Sequence, residues 1–163
     1  MNDLFAPPGN TWQPVSAQLG RMRRILLSVT VGVLELATVV LGFFIDLPAW
    51  LTATLTVVLL AVLGFGWAVI GRNTRSWGYA ERDEDLYVKH GALFRELVAV
   101  PYGRMQYVDI TAGPVEQLFG ISTVHLHTAS PKTSARIPGL PKDEAARLRD
   151  RLTSLGQAQA AGL

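Results

Sequence analysis

Residues 25–70 read ILLSVTVGVLELATVVLGFFIDLPAWLTATLTVVLLAVLGFGWAVI, and this stretch decides the fold. It holds two apolar runs, residues 25–45 and 49–70. Each is roughly twenty residues long, and at 1.5 Å rise per residue such a helix spans about 30 Å, the hydrocarbon thickness of a bilayer. Glu35 is the only charged side chain within either run. A central acidic group opposes insertion by about 3 kcal/mol, whereas each Leu, Ile, Val or Phe favours it by roughly 0.3 to 0.6 kcal/mol, so the apolar side chains prevail. A cleaved signal peptide would have a shorter apolar segment, not preceded by a long polar tail. Both runs are therefore expected as retained transmembrane helices. Only Asp46, Leu47 and Pro48 separate them, which folds them back as an antiparallel hairpin.

The flanks orient that hairpin. Arg21, Arg23 and Arg24 precede the first run and Arg72 and Arg75 follow the second, while the connecting turn has no Lys or Arg. The positive-inside rule then predicts both termini on the cytoplasmic side of the membrane. With these arginines, Trp67 and Trp77 are candidate membrane-interface residues. Gly64 and Gly66, with Gly32 and Gly42, permit close helix contact, within the hairpin or in a homo-oligomer. A formal charge of +2 without a dense basic block argues against a nucleic-acid partner. The absence of cysteine removes disulfides, thiolate catalysis and cysteine-based zinc sites.

Outward from the hairpin, residues 1–20 carry Pro and Gly breakers without apolar periodicity and read as a disordered cytoplasmic tail, in which Trp12 touches the interface. Residues 71–76 read as a short linker. Residues 76–156 form the remaining domain, with strand signals in SWGYAE, DLYVKH, ELVAVP, RMQYVDITA, STVHLHTA and SARIPG, each bounded by turn formers. Strand alternation places Gln106, Val108 and Ile110 on one face, toward the core. The period then changes: Ala145, Leu148, Leu152 and Leu155 make an apolar helical stripe, with Asp143 and Glu144 at its positive end and Gly156 as its stop. Residues 157–163 read as a frayed tail. The expected class is a membrane protein of α+β type: a two-helix transmembrane hairpin, then a curved sheet or open β-barrel capped by a C-terminal α-helix.

The order of these parts carries a resemblance. A two-helix hairpin, YVKHGALFRE, VPYGRMQYVDI, GPVEQLFGISTVHLHTA, IPGL and a closing helix together resemble the YdbS-like family of bacterial membrane-flanked PH-like domains. The most specific element is the succession of Pro101, Arg104, Gln106, Val108, the Leu118-Phe119-Gly120 turn and the strand to Thr128. Met105 stands where the family usually has isoleucine, and Ser130 where it often has glycine. The resemblance implies a PH-like fold and brings no chemistry with it. PH domains that bind phosphoinositides use a basic first hairpin loop; here Glu81, Asp83, Glu84 and Asp85 surround a single Arg82, which repels a polyanionic headgroup.

Candidate functional residues are few. Arg104, Gln106 and Tyr102 form a candidate binding surface beside a Pro-Tyr-Gly turn, although Arg104 and Gln106 are equally suited to hydrogen-bonding the acidic hairpin and nearby backbone. Glu35 has two readings: a functional group, as a proton relay or an intramembrane polar contact to a partner helix, or a side chain hydrogen-bonded within the hairpin, to Thr54 or Thr56. His125 and His127 point the same way from one strand and offer two metal ligands without a suitably spaced third. Paired carboxylates in a pocket context, a nucleophile elbow and a phosphate loop are all missing, so neither catalysis nor a cofactor is expected. The leading expectation is a membrane-anchored interaction module docking a protein or lipid at the cytoplasmic face, with the bilayer and a membrane-protein partner or second copy as its partners. The alternative is an accessory subunit of a membrane transporter or membrane enzyme that uses Glu35.

Overall fold

The computed structural model describes residues 11–130 and 134–160; the first ten residues of the expected N-terminal tail and the last three of the C-terminal one lie outside the described residues. The elements run β1 (Gln13–Pro14), α1 (Ala17–Phe44), α2 (Ala49–Ser76), β2 (Gly78–Glu81), β3 (Asp85–His90), β4 (Glu96–Pro101), β5 (Met105–Thr111), α3 (Pro114–Leu118), β6 (Ile121–Thr128), β7 (Ala135–Pro141) and α4 (Lys142–Ala160). The chain divides into two units: the helical segment Gly20–Arg72, and the residues on either side of it.

In the helical unit, α1 and α2 are long and apolar enough to cross a membrane. The threonines of the two apolar runs, residues 25–45 and 49–70, all have partners for their hydroxyls. Thr30, Thr38 and Thr54 each donate to the carbonyl four residues back, on Leu26, Leu34 and Trp50, at 2.7–2.9 Å. The tight turn relies on Asp46 in the left-handed region at φ 50°, with Leu47 N donating to Gly42 O. The glycines divide into two pairs. A Cβ on Gly66 would lie 2.5 Å from Leu27 Cδ2 and one on Gly42 2.9 Å from Thr52 Cγ2, whereas Gly32 and Gly64 have nothing within 4 Å. Of these four, Gly42 and Gly66 serve the hairpin itself. Both helices outrun the apolar segments: α2 continues to Ser76, so the expected linker is helical, and α1 begins at Ala17.

That early start corrects the expected disordered tail wherever it is described. Gln13 and Pro14 pair with Tyr79 and Gly78, and Val15 and Leu19 are buried. Leu19 packs on Gly139, whose carbonyl accepts from Ser16 N at 3.0 Å. Two apolar anchors four residues apart are too few to show as a period.

The other unit contains two antiparallel sheets that do not close on each other, ordered β1-β2-β3-β4 and β5-β6-β7. All six expected strands are present. Leu86, Val88 and Val100 of the first sheet and Val124, Leu126 and Ile137 of the second are fully buried, as are Ala145, Leu148 and Leu152 of the α4 stripe. Helix α4 runs through Gly156 to Ala160 rather than stopping there, because Gly156 is not among the left-handed glycines that end helices. A polar cluster ties α4 to the first sheet. Arg147 bridges Glu144 at 2.6 Å and Glu81 at 2.5 Å, and Arg151 Nε lies 3.0 Å from Glu81. Tyr79 Oη lies 2.7 Å from Glu144 Oε1 and 2.5 Å from Gln13 Oε1. A phenol has one proton, which goes to the carboxylate; the Gln13 amide then presents its nitrogen to the phenol oxygen. The hydrogen bond from Arg147 holds the Glu144 carboxyl below its usual range, while burial raises Tyr79.

Candidate functional site

The chain contains three histidines, and all three line one open cleft of about 430 Å³ between the two sheets. His90 and Glu96 come from the paired ends of β3 and β4, and His125 and His127 from β6. Arg136 of β7 is the cross-strand partner of His125. Trp77 forms part of the wall, its ring stacked on His90 at 4.8 Å. Most of these side chains are held by neighbours: His90 lies 3.5 Å from Glu96, and His125 Nε2 lies 3.1 Å from Thr111 Oγ1. His127 Nε2 lies 3.1 Å from Asp109 Oδ1, its ring stacked on Tyr107 at 4.2 Å. Arg136 makes no ion pair among the described residues. The cleft thus presents a guanidinium and a row of imidazoles held in place, an arrangement suited to an anionic or hydrogen-bonding group.

The predicted pair His125 and His127 does share one face of β6, as alternation requires. Among the described residues no group of three His, Cys, Asp or Glu is placed to hold a metal. His90, Glu96 and Arg136 escaped the sequence reading, since no spacing links residues 90, 96 and 136 to 125. The only signal was that a chain with three histidines has two of them side by side.

The expected surface at Tyr102, Arg104 and Gln106 comes apart. Tyr102 is fully buried and its hydroxyl donates to Arg82 O at 2.9 Å, so it belongs to the core rather than to a binding surface. Burial, first, pushes the Tyr102 phenol above its usual pKa range, and the nearby Glu81 adds to that. Arg104 and Gln106 are exposed and line a second hollow with Thr128 and Ser130. Among the described residues no ion pair joins Arg104 to the acidic hairpin. Gln106 is also not on the core face with Val108 and Ile110. Met105 pairs with Thr128 and Tyr107 with His127, so Gln106 is the extra residue of a β-bulge, while Val108 and Ile110 pair with the buried Leu126 and Val124.

In the helical unit, Glu35 Oε1 accepts a hydrogen bond from Thr56 Oγ1 at 2.7 Å, one of the two expected intrahairpin partners. Its Oε2 is buried with no partner among the described residues. Glu35→Leu and Thr56→Val are therefore expected to couple by about 0.6 kcal/mol, typical of interhelical hydrogen bonds in a membrane, in a double-mutant cycle on hairpin unfolding. Zero coupling would mean that the two side chains do not bond in the bilayer. Of the interface candidates, Trp67 is half exposed, donates to Ser28 Oγ at 3.2 Å and carries the Arg24 guanidinium 5.3 Å from its ring. Arg21, Arg72 and Arg75 are exposed and Arg23 is half-buried. Trp77 is buried in the sheet unit, a correction to its interface role that follows from its stacking on His90.

Two membrane-length helices leading into two antiparallel sheets and a capping helix define a membrane-associated module with a PH-like fold. The chain belongs to the bacterial PH domain family, whose model matches residues 25–155 and so takes in both long helices as well as the sheets. It is 28% identical over 151 residues to the transmembrane protein YdbS of Bacillus subtilis (strain 168), a match covering 92% of this chain and 94% of that protein. No solved structure matches it.

Proposed function

We propose that the chain is a non-catalytic docking module of the bacterial inner membrane, with both termini and the PH-like unit on the cytoplasmic side, which recruits a protein partner through the histidine-lined cleft. The observation that carries this reading is Arg136, without an ion pair among the described residues, set among three imidazoles in an open cleft. An acidic or hydrogen-bonding segment of a partner would satisfy it. Arginines outside both ends of the helical hairpin and none in its turn support the sidedness. The bond from Thr56 to Glu35 favours a role for Glu35 inside the hairpin over one in a transporter complex.

Purification of the full chain from membranes in mild detergent tests the cleft. Arg136→Glu is expected to lose proteins that co-purify with the wild-type chain while leaving its own yield unchanged; unaltered recovery overturns the cleft. Because the chain has no cysteine, a single cysteine in α4 reports the side directly. Its labelling by an impermeant reagent in intact cells would overturn the orientation.

A further inference from the structure

The register of the first sheet places its two ends in contrasting chemistry. Pro14, three residues before α1, pairs with Gly78, two residues after α2, so the chain leaves for both long helices from one rung of the sheet. Gly78 in turn pairs with Lys89, and the next rung, His90 with Glu96, leads into the β3–β4 loop. That loop therefore lies at the same end of the sheet as both helix junctions. Its tip is apolar and outward: Leu93 is 86% and Phe94 91% exposed, two adjacent large apolar side chains rather than one scattered singly. Gly91, at φ 98°, makes the tip fold back; a Cβ there would collide with the Phe94 carbonyl. Arg95 adjoins the two apolar residues, and at the base of the loop the Lys89 ammonium lies over the Trp12 ring at 4.1 Å. The opposite end of the same sheet is the β2–β3 turn, with Asp83, Glu84 and Asp85 against Arg82.

From these observations we infer that Leu93 and Phe94 form a membrane-dipping tip, which inserts into the lipid surface beside the spans and holds the acidic end of the sheet away from it. The occupant is a lipid surface rather than a protein. Six residues, 73 to 78, join the helical unit to the sheet, and even fully extended they reach only about 20 Å, so the tip cannot leave the neighbourhood of the headgroups. An apolar pair flanked by a cation suits the headgroup boundary, where aromatic side chains bury their rings and basic ones meet anionic lipid. A surface of Asp and Glu is repelled by the same lipid. The inference rests on the membrane reading of α1 and α2 and not on the histidine-lined cleft.

The cysteine-free chain allows a direct test on the full protein, reconstituted in vesicles of phosphatidylethanolamine and phosphatidylglycerol. Single cysteines replace Phe94, Glu84 and, as a membrane reference on α2, Val57, each carrying an environment-sensitive fluorophore. All three side chains are exposed or lie in a turn, so the labels do not disturb packing. The label on Phe94→Cys is expected to show blue-shifted emission that is lost when spin-labelled lipid is added and is indifferent to aqueous iodide; the label on Glu84→Cys shows the reverse. Iodide quenching at position 94 equal to that at position 84 overturns the tip. So does an emission shift at 94 that disappears as protein is diluted into excess lipid, which would assign the tip to a second copy. The Val57→Cys label loses emission to spin-labelled lipid if α2 spans the bilayer, so a failure of the membrane reading is distinguishable from a failure of the tip.

Discussion

Tyr102→Ala is expected to unfold or nearly unfold the PH-like unit, at a cost of about 3–5 kcal/mol, as for other large buried aromatic side chains truncated to Ala. Tyr102 is wholly buried between the β4–β5 corner and α4, and its hydroxyl satisfies the Arg82 carbonyl. Against a total stability of about 5–15 kcal/mol, that loss is decisive. Tyr102→Phe should cost only about 1 kcal/mol, for a carbonyl left without its donor. Arg104→Ala, two residues along and exposed, should stay within about 0.5 kcal/mol of wild type. Hydrogen exchange of the strand amides, on the full chain in nanodiscs, reads all three variants. If Arg104→Ala instead opened the sheets as Tyr102→Ala does, the arginine would be a structural hub and the division between a core tyrosine and a surface arginine would be wrong.

Gly139→Val should be comparably severe, at about 2–5 kcal/mol. Two costs add. Gly139 sits at φ 73°, where a side chain carries about 1–2 kcal/mol of strain. The new Cβ would also lie 2.7 Å from Leu19 Cβ, an atom fixed to a backbone that cannot rotate aside, and forcing volume into a filled site costs about 1–3 kcal/mol. The damage should be local first: the bond from Ser16 N to Gly139 O opens, and β1 with the start of α1 exchanges faster than the rest. Gly120→Ala is the control. It shares the positive φ, at 66°, but faces open space, so it should carry the conformational cost alone. Equal destabilisation by the two variants would mean that Leu19 does not rest on Gly139.

What was legible in the sequence is what depends on neighbours along the chain. Two apolar runs of membrane length, six short alternating segments and a 3-4-3 stripe are local patterns, and the helices, the strands and the α4 face appear where those patterns lie. A hairpin turn of three residues also brought Thr54 and Thr56 within reach of Glu35 as alternatives, and the bond goes to Thr56. What depends on folding distant segments together was not legible. A bulge is one residue too many against a partner strand, and the partner is not visible from Gln106 alone. Tyr102 beside a turn reads as surface until α4, some forty residues later, covers it. Residues 13 and 14 became a strand only because β2 offered them an open edge. The cleft depends on the same physics at longer range: His90 reaches His125, His127 and Arg136 only where two separate sheets meet, so its chemistry belongs to the tertiary structure and to no stretch of sequence.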